Sequence, residues 1–85
     1  MYRLIIKRPA ERDLRRLPRS VFLRLNRQIL TLSDEPRPPG ASKLKGSMAG
    51  WRLRVGDYRI LYQIDDSAQT ITIVRVRHRR DVYGP

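Results

Sequence analysis

The stretch from Trp51 to Asp65 limits the possible folds more than any other part of the chain. Apolar and polar residues alternate on both sides of Gly56-Asp57, a dipeptide that favours a two-residue β-hairpin turn. Counting outward from this turn predicts the pairs Val55 with Tyr58, Arg54 with Arg59, Leu53 with Ile60, and Arg52 with Leu61.

The alternation also assigns side chains to the two faces of this hairpin. One face is apolar and should form core: Trp51, Leu53, Val55, Tyr58, Ile60 and Tyr62. The other face carries Arg52, Arg54 and Arg59. Like charges directly opposite each other destabilise a strand pair. We therefore expect an anion to bind between these arginines, although solvation of an exposed sheet face is the simpler alternative.

The rest of the chain predicts one α+β domain over residues 1–85. Residues 2–7 suit a short strand, a first helix runs from Pro9 towards Pro18, and a second spans Arg19 to about Ser33. Residues 34–50 are rich in Pro and Gly and form a connection. Strands follow at Trp51–Val55, Tyr58–Asp65 and Thr70 to about His78. The expected fold is a strand, a two-helix hairpin and an antiparallel meander, with the helices on one face.

Leu23 and Leu30 project away from the apolar stripe of the second helix. They either pack against the first helix, which is the commoner case, or form an apolar patch for a partner.

The charge of the chain points to an anionic partner. Nineteen Lys and Arg against eight Asp and Glu give a net charge of +11, and most of the cations are Arg. Arginine binds phosphate with two parallel hydrogen bonds, which makes nucleic acid the leading class of partner. The chain has no Cys and one His, so neither disulfides nor a metal site are expected, and no cofactor is implied. No stretch suits a signal peptide or a membrane span, and we expect a cytoplasmic location.

The last segment adds His78, Arg79 and Tyr83. If Asp65 pairs with Thr70, then Val74, Val76 and His78 share a face with Arg52, Arg54 and Arg59. Fixed cations, an imidazole and a phenol could together support RNA cleavage by its own 2′-hydroxyl. A lone His is as often structural, and Tyr83 could equally plug the edge of the core.

Four segments in order resemble the RelE branch of the RelE/ParE toxin superfamily: RPAERDLRRLP, PRPPGASKLKG, WRLRVGDYRILY and HRRDVY. The resemblance spans nearly the whole chain. It implies a microbial-ribonuclease-like sheet with two helices, and a toxin that cuts mRNA in the ribosomal A site without a metal.

Carried over by position, the resemblance places basic active-site residues at Arg52, Arg54, Arg59 and Arg79, and a tyrosine at Tyr83. The best-known member has Lys at the positions of Arg52 and Arg54 and lacks a His at position 78. Arg is not a conventional base. Our hypothesis is that the arginines hold the scissile phosphate while His78 or Tyr83 transfers protons.

The resemblance also implies partners. Basic residues beyond the catalytic set are expected to contact RNA or the ribosome: Lys43, Lys45, Arg75, Arg77 and Arg80. An acidic antitoxin is expected to inhibit the toxin in a hetero-oligomer and to contact Leu23 and Leu30.

Two alternatives stay open. A ParE-like toxin shares the fold but acts on DNA gyrase through protein contacts. A non-catalytic RNA-binding module would show salt-sensitive binding and no cleaved product.

Overall fold

A computed structural model describes residues 1–45 and 50–82 of the chain. Its elements follow in this order: β1 (Arg3–Ile6), α1 (Arg8–Arg15), α2 (Arg19–Leu32), β2 (Ala41–Lys43), β3 (Trp51–Val55), β4 (Tyr58–Asp65), β5 (Thr70–His78) and α3 (Arg79–Val82). The α+β fold class is confirmed.

Proline sets the boundaries of the first two helices. Pro9 occupies the first turn of α1, where the missing N–H costs nothing. The helix ends at Arg15, and Pro18 precedes the first residue of α2. The carbonyl of Pro18 then accepts a hydrogen bond from the N–H of Phe22 at 2.9 Å. The predicted break between the helices is therefore confirmed.

The strands form one sheet in the order β1-β5-β4-β3-β2. β1 pairs in parallel with β5, while the other pairs are antiparallel. A parallel pair needs a long crossover connection, and α1 and α2 lie within the one between β1 and β5. Strand β2 was not predicted, since residues 34–50 were assigned to a connection. Three residues are too few to show the alternation of apolar and polar side chains that identifies a strand in a sequence. The segment becomes a strand by pairing with β3.

The β3–β4 hairpin has the predicted register, with Val55 opposite Tyr58 and Arg54 opposite Arg59. Gly56 has a φ of +59°, whereas Asp57 has no positive φ. Type II′ turns require this combination, and Gly at their first central position meets it without strain. Counting residues outward from the turn predicts this register correctly because the β3–β4 pairing contains no bulge.

The prediction for His78 depends on a regular register between β4 and β5, and the observed register is not regular. Asp65 does pair with Thr70, but the register shifts between Leu61 and Tyr62. Two residues of β5, Val74 and Arg75, thereby lie opposite Leu61, which is a β-bulge.

The bulge reverses the predicted faces of the end of β5. Val76 now pairs with Ile60 and is buried in the core, and His78 pairs with Tyr58. The prediction that Val74, Val76 and His78 share a face with the hairpin arginines is therefore wrong for Val76 and His78. Arg77 takes that position instead, directly opposite Arg59.

The core lies between the two long helices and one face of the sheet. The helices contribute Ala10, Leu14, Leu25, Ile29 and Leu32, and the sheet contributes Leu53, Ile60, Tyr62, Ile71, Ile73 and Val76. The hydroxyl of Tyr62 donates a hydrogen bond to the carbonyl of Pro36 at 2.7 Å, which ties the Pro-rich connection to the core. Burial raises the pKa of Tyr62 to about 12. Among residues 1–45 and 50–82, the helices are too short and too polar to span a lipid bilayer.

One carboxylate joins α1 to the bulge. Asp13 accepts hydrogen bonds from Nε and Nη2 of Arg75, at 2.9 and 3.2 Å, and from the N–H of Val76 at 2.9 Å. Its side chain is only 12% exposed. Burial disfavours the charged form, but the hydrogen bonds and the charges of Arg75 and Arg77 outweigh it and lower the pKa of Asp13. We call this arrangement the Asp13 clamp.

Replacing Asp13 with Asn tests the clamp. Asn keeps an acceptor oxygen but loses the charge, so we expect D13N to lower the unfolding free energy at pH 7 by about 1–2 kcal/mol. Because the folded-state pKa of Asp13 is lowered, its contribution is complete above the unfolded-state value of about 3.9 and is lost as the pH falls through the folded-state value. Urea unfolding from pH 7 to pH 2.5 should show the difference shrinking below about pH 4.

The control is Glu11→Gln on the same helix, where Glu11 forms an exposed ion pair with Arg15 at 3.0 Å. We expect no measurable loss there. Equal losses in both variants, or a D13N difference that persists unchanged at pH 2.5, would contradict the clamp.

Candidate functional site

Three arginines lie side by side across the outer face of the sheet. Arg54 of β3 is opposite Arg59 of β4, and Arg59 is opposite Arg77 of β5. We call these three residues the arginine row. The prediction from the hairpin contained two of them, and the bulge adds the third. Arg59, at the centre of the row, is 7% exposed.

A small concavity of about 150 Å³ lies beside the row. It is lined by Gly40, Ser42, Arg52, Arg54 and Arg59. Nη2 of Arg52 donates a hydrogen bond to Oγ of Ser42 at 3.4 Å. Within residues 1–45 and 50–82, neither Arg52 nor Arg54 forms a salt bridge. The concavity therefore presents guanidinium donors to an anion about the size of a phosphate.

The sequence analysis does not identify Gly40 and Ser42 as site residues, because they belong to the connection rich in Pro and Gly. Ser42 pairs with Arg52, and this pairing brings β2 beside the arginines. The sequence signal that could have found Ser42 is weak, since β2 has three residues and no long apolar run. Arg24 of α2 was also missed, and its guanidinium lies against the turn residue Gly56.

His78 does not lie with the arginines. Its ring makes an edge-to-face contact with Tyr58, with ring centroids 4.9 Å apart. Nδ1 of His78 accepts a hydrogen bond from the N–H of Arg80 at 3.2 Å, and Oδ2 of Asp81 accepts one from the N–H of His78 at 3.1 Å. These reciprocal bonds resemble a capping box and place His78 at the start of α3.

This hydrogen bonding restricts the chemistry of His78. A neutral imidazole that accepts through Nδ1 carries its proton on Nε2. The one lone pair that could remove a proton is therefore engaged by a backbone amide. In this arrangement the His78 ring caps the N-terminus of α3. The prediction that His78 lies near the arginine cluster is therefore wrong.

Arg79 and Tyr83 were expected to reach the site if the chain bends after β5. The chain does turn there into α3, and the N–H of Arg79 donates to the carbonyl of Asp57 at 2.7 Å. Nη1 of the exposed Arg79 lies 4.0 Å from Oδ1 of Asp57, so its side chain lies beside the hairpin turn. Tyr83 lies outside the described residues.

The other predicted basic contacts occupy different places. Arg75 is engaged by Asp13, whereas Arg77 belongs to the arginine row and lies 3.8 Å from Oδ2 of Asp81. Arg80 is exposed on α3. Lys43 and Lys45 lie in and just after the edge strand β2, and both are exposed.

Leu23 and Leu30 are exposed on α2, at 46% and 55%. The more ordinary expectation, that they pack against α1, is therefore wrong. They are seven residues apart, so they project from the same side of the helix. The helix thus presents an apolar patch to solvent.

The fold and the concavity together define a small α+β domain that carries an arginine-lined concavity on the outer face of its sheet. Comparisons with known proteins agree with this class. The family described as "ParE toxin of type II toxin-antitoxin system, parDE" matches residues 4–83. Toxin RelG of Mycobacterium tuberculosis is 41% identical over 76 residues, which are 87% of this chain and 86% of that protein.

Solved structures give the same result. The chain resembles one in the toxin–antitoxin complex RelBE2 of M. tuberculosis, with a TM-score of 0.82 and 35% identity over 92% of this chain and 98% of the other. It also resembles one in the archaeal RelE–RelB complex of Pyrococcus horikoshii, with a TM-score of 0.81, 29% identity, and coverage of 92% and 94%. The chain belongs to the RelE/ParE superfamily, the toxins of type II toxin–antitoxin systems.

Proposed function

We propose that this toxin is a ribosome-dependent endoribonuclease that cuts mRNA in the A site, where the 2′-hydroxyl attacks the adjacent phosphate. The observation that supports this most directly is the concavity lined by Arg52, Arg54 and Arg59, extended by Arg77. Sequence similarity to RelG and to the RelBE2 complex supports the RelE type of activity over others.

The arginines suit the charge that develops in this reaction. Attack by the 2′-hydroxyl makes a five-coordinate phosphorane with more negative charge than the starting phosphodiester. Guanidinium groups fixed in advance stabilise that charge without reorganising. The burial of Arg59 also strengthens its interaction with an anion, because less water screens it. In this proposal, Arg52, Arg54 and Arg59 bind the scissile phosphate, and Arg77 and Arg79 add positive charge around it.

Proton transfer needs a group other than arginine, since a guanidinium does not deprotonate in a protein. The engagement of Nδ1 of His78 by the N–H of Arg80 disfavours His78 as the base. We therefore propose that Tyr83, which matches the near-terminal tyrosine of the family, transfers protons. His78 positions α3 in this proposal.

The proposed partner is an acidic antitoxin, because structural neighbours were solved as toxin–antitoxin complexes and this chain carries a charge of +11. The patch of Leu23 and Leu30 would supply apolar contacts at that interface. A cytoplasmic location follows from the proposed substrate. Lys43, Lys45 and Arg80 would add phosphate contacts to RNA or the ribosome.

A ParE-like action on DNA gyrase is the second candidate, and the observation that favours it is the matching family's own description. A non-catalytic RNA-binding role would leave the arginine row as a binding surface alone. Both alternatives predict no cleaved RNA.

The cleavage proposal is tested by adding purified toxin to programmed ribosomes and to the same mRNA without ribosomes. We expect cuts at the A-site codon only on the ribosome, with 2′,3′-cyclic phosphate ends. Arg54 is exposed, so Arg54→Ala should leave the fold intact and slow cleavage roughly 100-fold.

The matched control is Arg27→Ala, which removes an exposed arginine from α2 and should cleave like the parent. Inhibition of gyrase supercoiling with no cut in either RNA sample would move the assignment to the ParE type. RNA binding with neither effect would support the non-catalytic role.

His78→Asn separates capping from proton transfer. Asn is a favoured N-cap residue, so this variant should keep α3 in place while removing the imidazole. We expect cleavage within about threefold of the parent, measured as single-turnover rates on ribosomes. A loss of 100-fold or more with unchanged circular dichroism would assign proton transfer to His78 instead.

Leu23→Ala combined with Leu30→Ala tests the antitoxin surface. We expect antitoxin affinity to fall about tenfold or more, because apolar anchors dominate such interfaces. Calorimetric titration with the antitoxin encoded beside the toxin gene measures this. Ile5→Ala, at an exposed apolar residue of β1, is the control. Unchanged affinity in the double variant would place the antitoxin elsewhere.

A further inference from the structure

An apolar surface lies on the outer face of the sheet, next to the arginine row. On β4, Leu61 follows Arg59 by two residues, so both side chains project from the same face, about 7 Å apart. On β5, Val74 directly follows Ile73, which is buried in the core. Successive residues of a strand face opposite sides, so Val74 faces outward beside Leu61.

Ile5 of β1 extends this surface on the side of β5. It pairs with Thr72, which precedes the buried Ile73 and therefore also faces outward. Ile5 is 40% exposed, and Leu61 and Val74 are half-buried. We call Ile5, Leu61 and Val74 the apolar shelf.

The shelf is bordered by arginines, but its own side chains carry no charge. Arg52 of β3 lies directly opposite Leu61, and it also lines the concavity beside the arginine row. Arg75 of β5 lies opposite Leu61 on the other side, but Asp13 binds its Nε at 2.9 Å and offsets its charge. A ligand whose phosphate occupies the concavity therefore meets a neutral surface where it leaves the arginines.

A nucleoside joined to the bound phosphate suits this surface. A second phosphate would gain little over the shelf, because Arg75 is already engaged by Asp13. A nucleobase is uncharged at neutral pH, and its flat face is stabilised by leaving water for aliphatic side chains. Leu61 and Val74 lie on adjacent strands, so one ring can cover both.

We propose that the apolar shelf binds the base of a nucleotide whose phosphate lies in the concavity of Arg52, Arg54 and Arg59, and that it favours purines over pyrimidines. The preference follows from contact area, because a purine has the larger face to remove from water. Aliphatic side chains form no hydrogen bonds with the base, so adenine and guanine should bind alike. The inference rests on the proposed function for the identity of the strand.

The test uses methyl NMR of the parent protein with ligands that carry a single phosphate. The first ligand is a dinucleoside monophosphate with two purines and a 2′-deoxy sugar on the 5′ side, so it binds without being cut. We expect the methyl signals of Leu61 and Val74 to shift together with the Nε–Hε signals of Arg52 and Arg54. An abasic sugar at one of the two positions should abolish the methyl shifts, and inorganic phosphate should shift the arginine signals alone.

Leu61→Thr removes apolar contact area and keeps a side chain that suits a strand. We expect its affinity for the purine ligand to fall about three- to tenfold, towards that of the pyrimidine ligand. Its affinity for inorganic phosphate should match that of the parent. Ile6→Thr is the matched control, since Ile6 is also 40% exposed but pairs with the buried Ile73 and lies on the opposite face.

Methyl signals that stay in place, with or without arginine shifts, would overturn the shelf. Shifts that persist when both bases are absent, or equal losses in Leu61→Thr and Ile6→Thr, would do the same. Methyl shifts with the antitoxin but not with the dinucleoside would also overturn it and assign the surface to a protein contact.

The outcomes also separate the shelf from the proposed reaction. Base-dependent methyl shifts in a protein that cuts no RNA on ribosomes would leave the shelf standing and remove the reaction. Cleavage on ribosomes without methyl shifts would keep the reaction and remove the shelf.

Discussion

The Asp13 clamp determines how the end of β5 meets the rest of the sheet. One carboxylate binds the side chain of Arg75 and the backbone N–H of Val76, the residues at and directly after the bulge. The bulge shifts the register by one residue, and a shift of one residue exchanges the faces of a strand. Arg77 joins the arginine row because of this shift, and His78 turns towards Tyr58 and caps α3.

The arginine row is costly for the folded protein and useful for its proposed activity. Arg54 lies opposite Arg59 and Arg59 lies opposite Arg77, and like charges in each of these two pairs weaken the sheet. The core on the other face compensates, since Leu53, Ile60 and Val76 are buried on the same three strands. A bound phosphate would remove the repulsion. The site is thus built before the substrate arrives, which is the condition for electrostatic stabilisation of a transition state.

Local rules predicted the hairpin and its arginines because Gly56-Asp57 and strict alternation determine the register without help from the rest of the chain. The same rules did not predict the bulge in β5. Asp13 is 62 residues from Arg75 in the sequence, and the residue pattern of β5 gives no sign of their contact. They also missed β2, whose three residues become a strand only beside β3. Whether α1 covers Leu23 and Leu30 depends on where α1 lies relative to α2, which helical spacing does not determine.

If Arg52, Arg54 and Arg59 form a selective phosphate site, they should bind phosphate before the many other arginines of the chain do. The most direct measurement is a titration of the protein with inorganic phosphate, followed by NMR of the arginine Nε–Hε groups. We expect the signals of these three residues to shift together and to saturate at a lower phosphate concentration than those of Arg12 and Arg27 on the helices. Uniform, non-saturating shifts across all arginines would rule out selective binding, because these three residues would then act only as general positive charge.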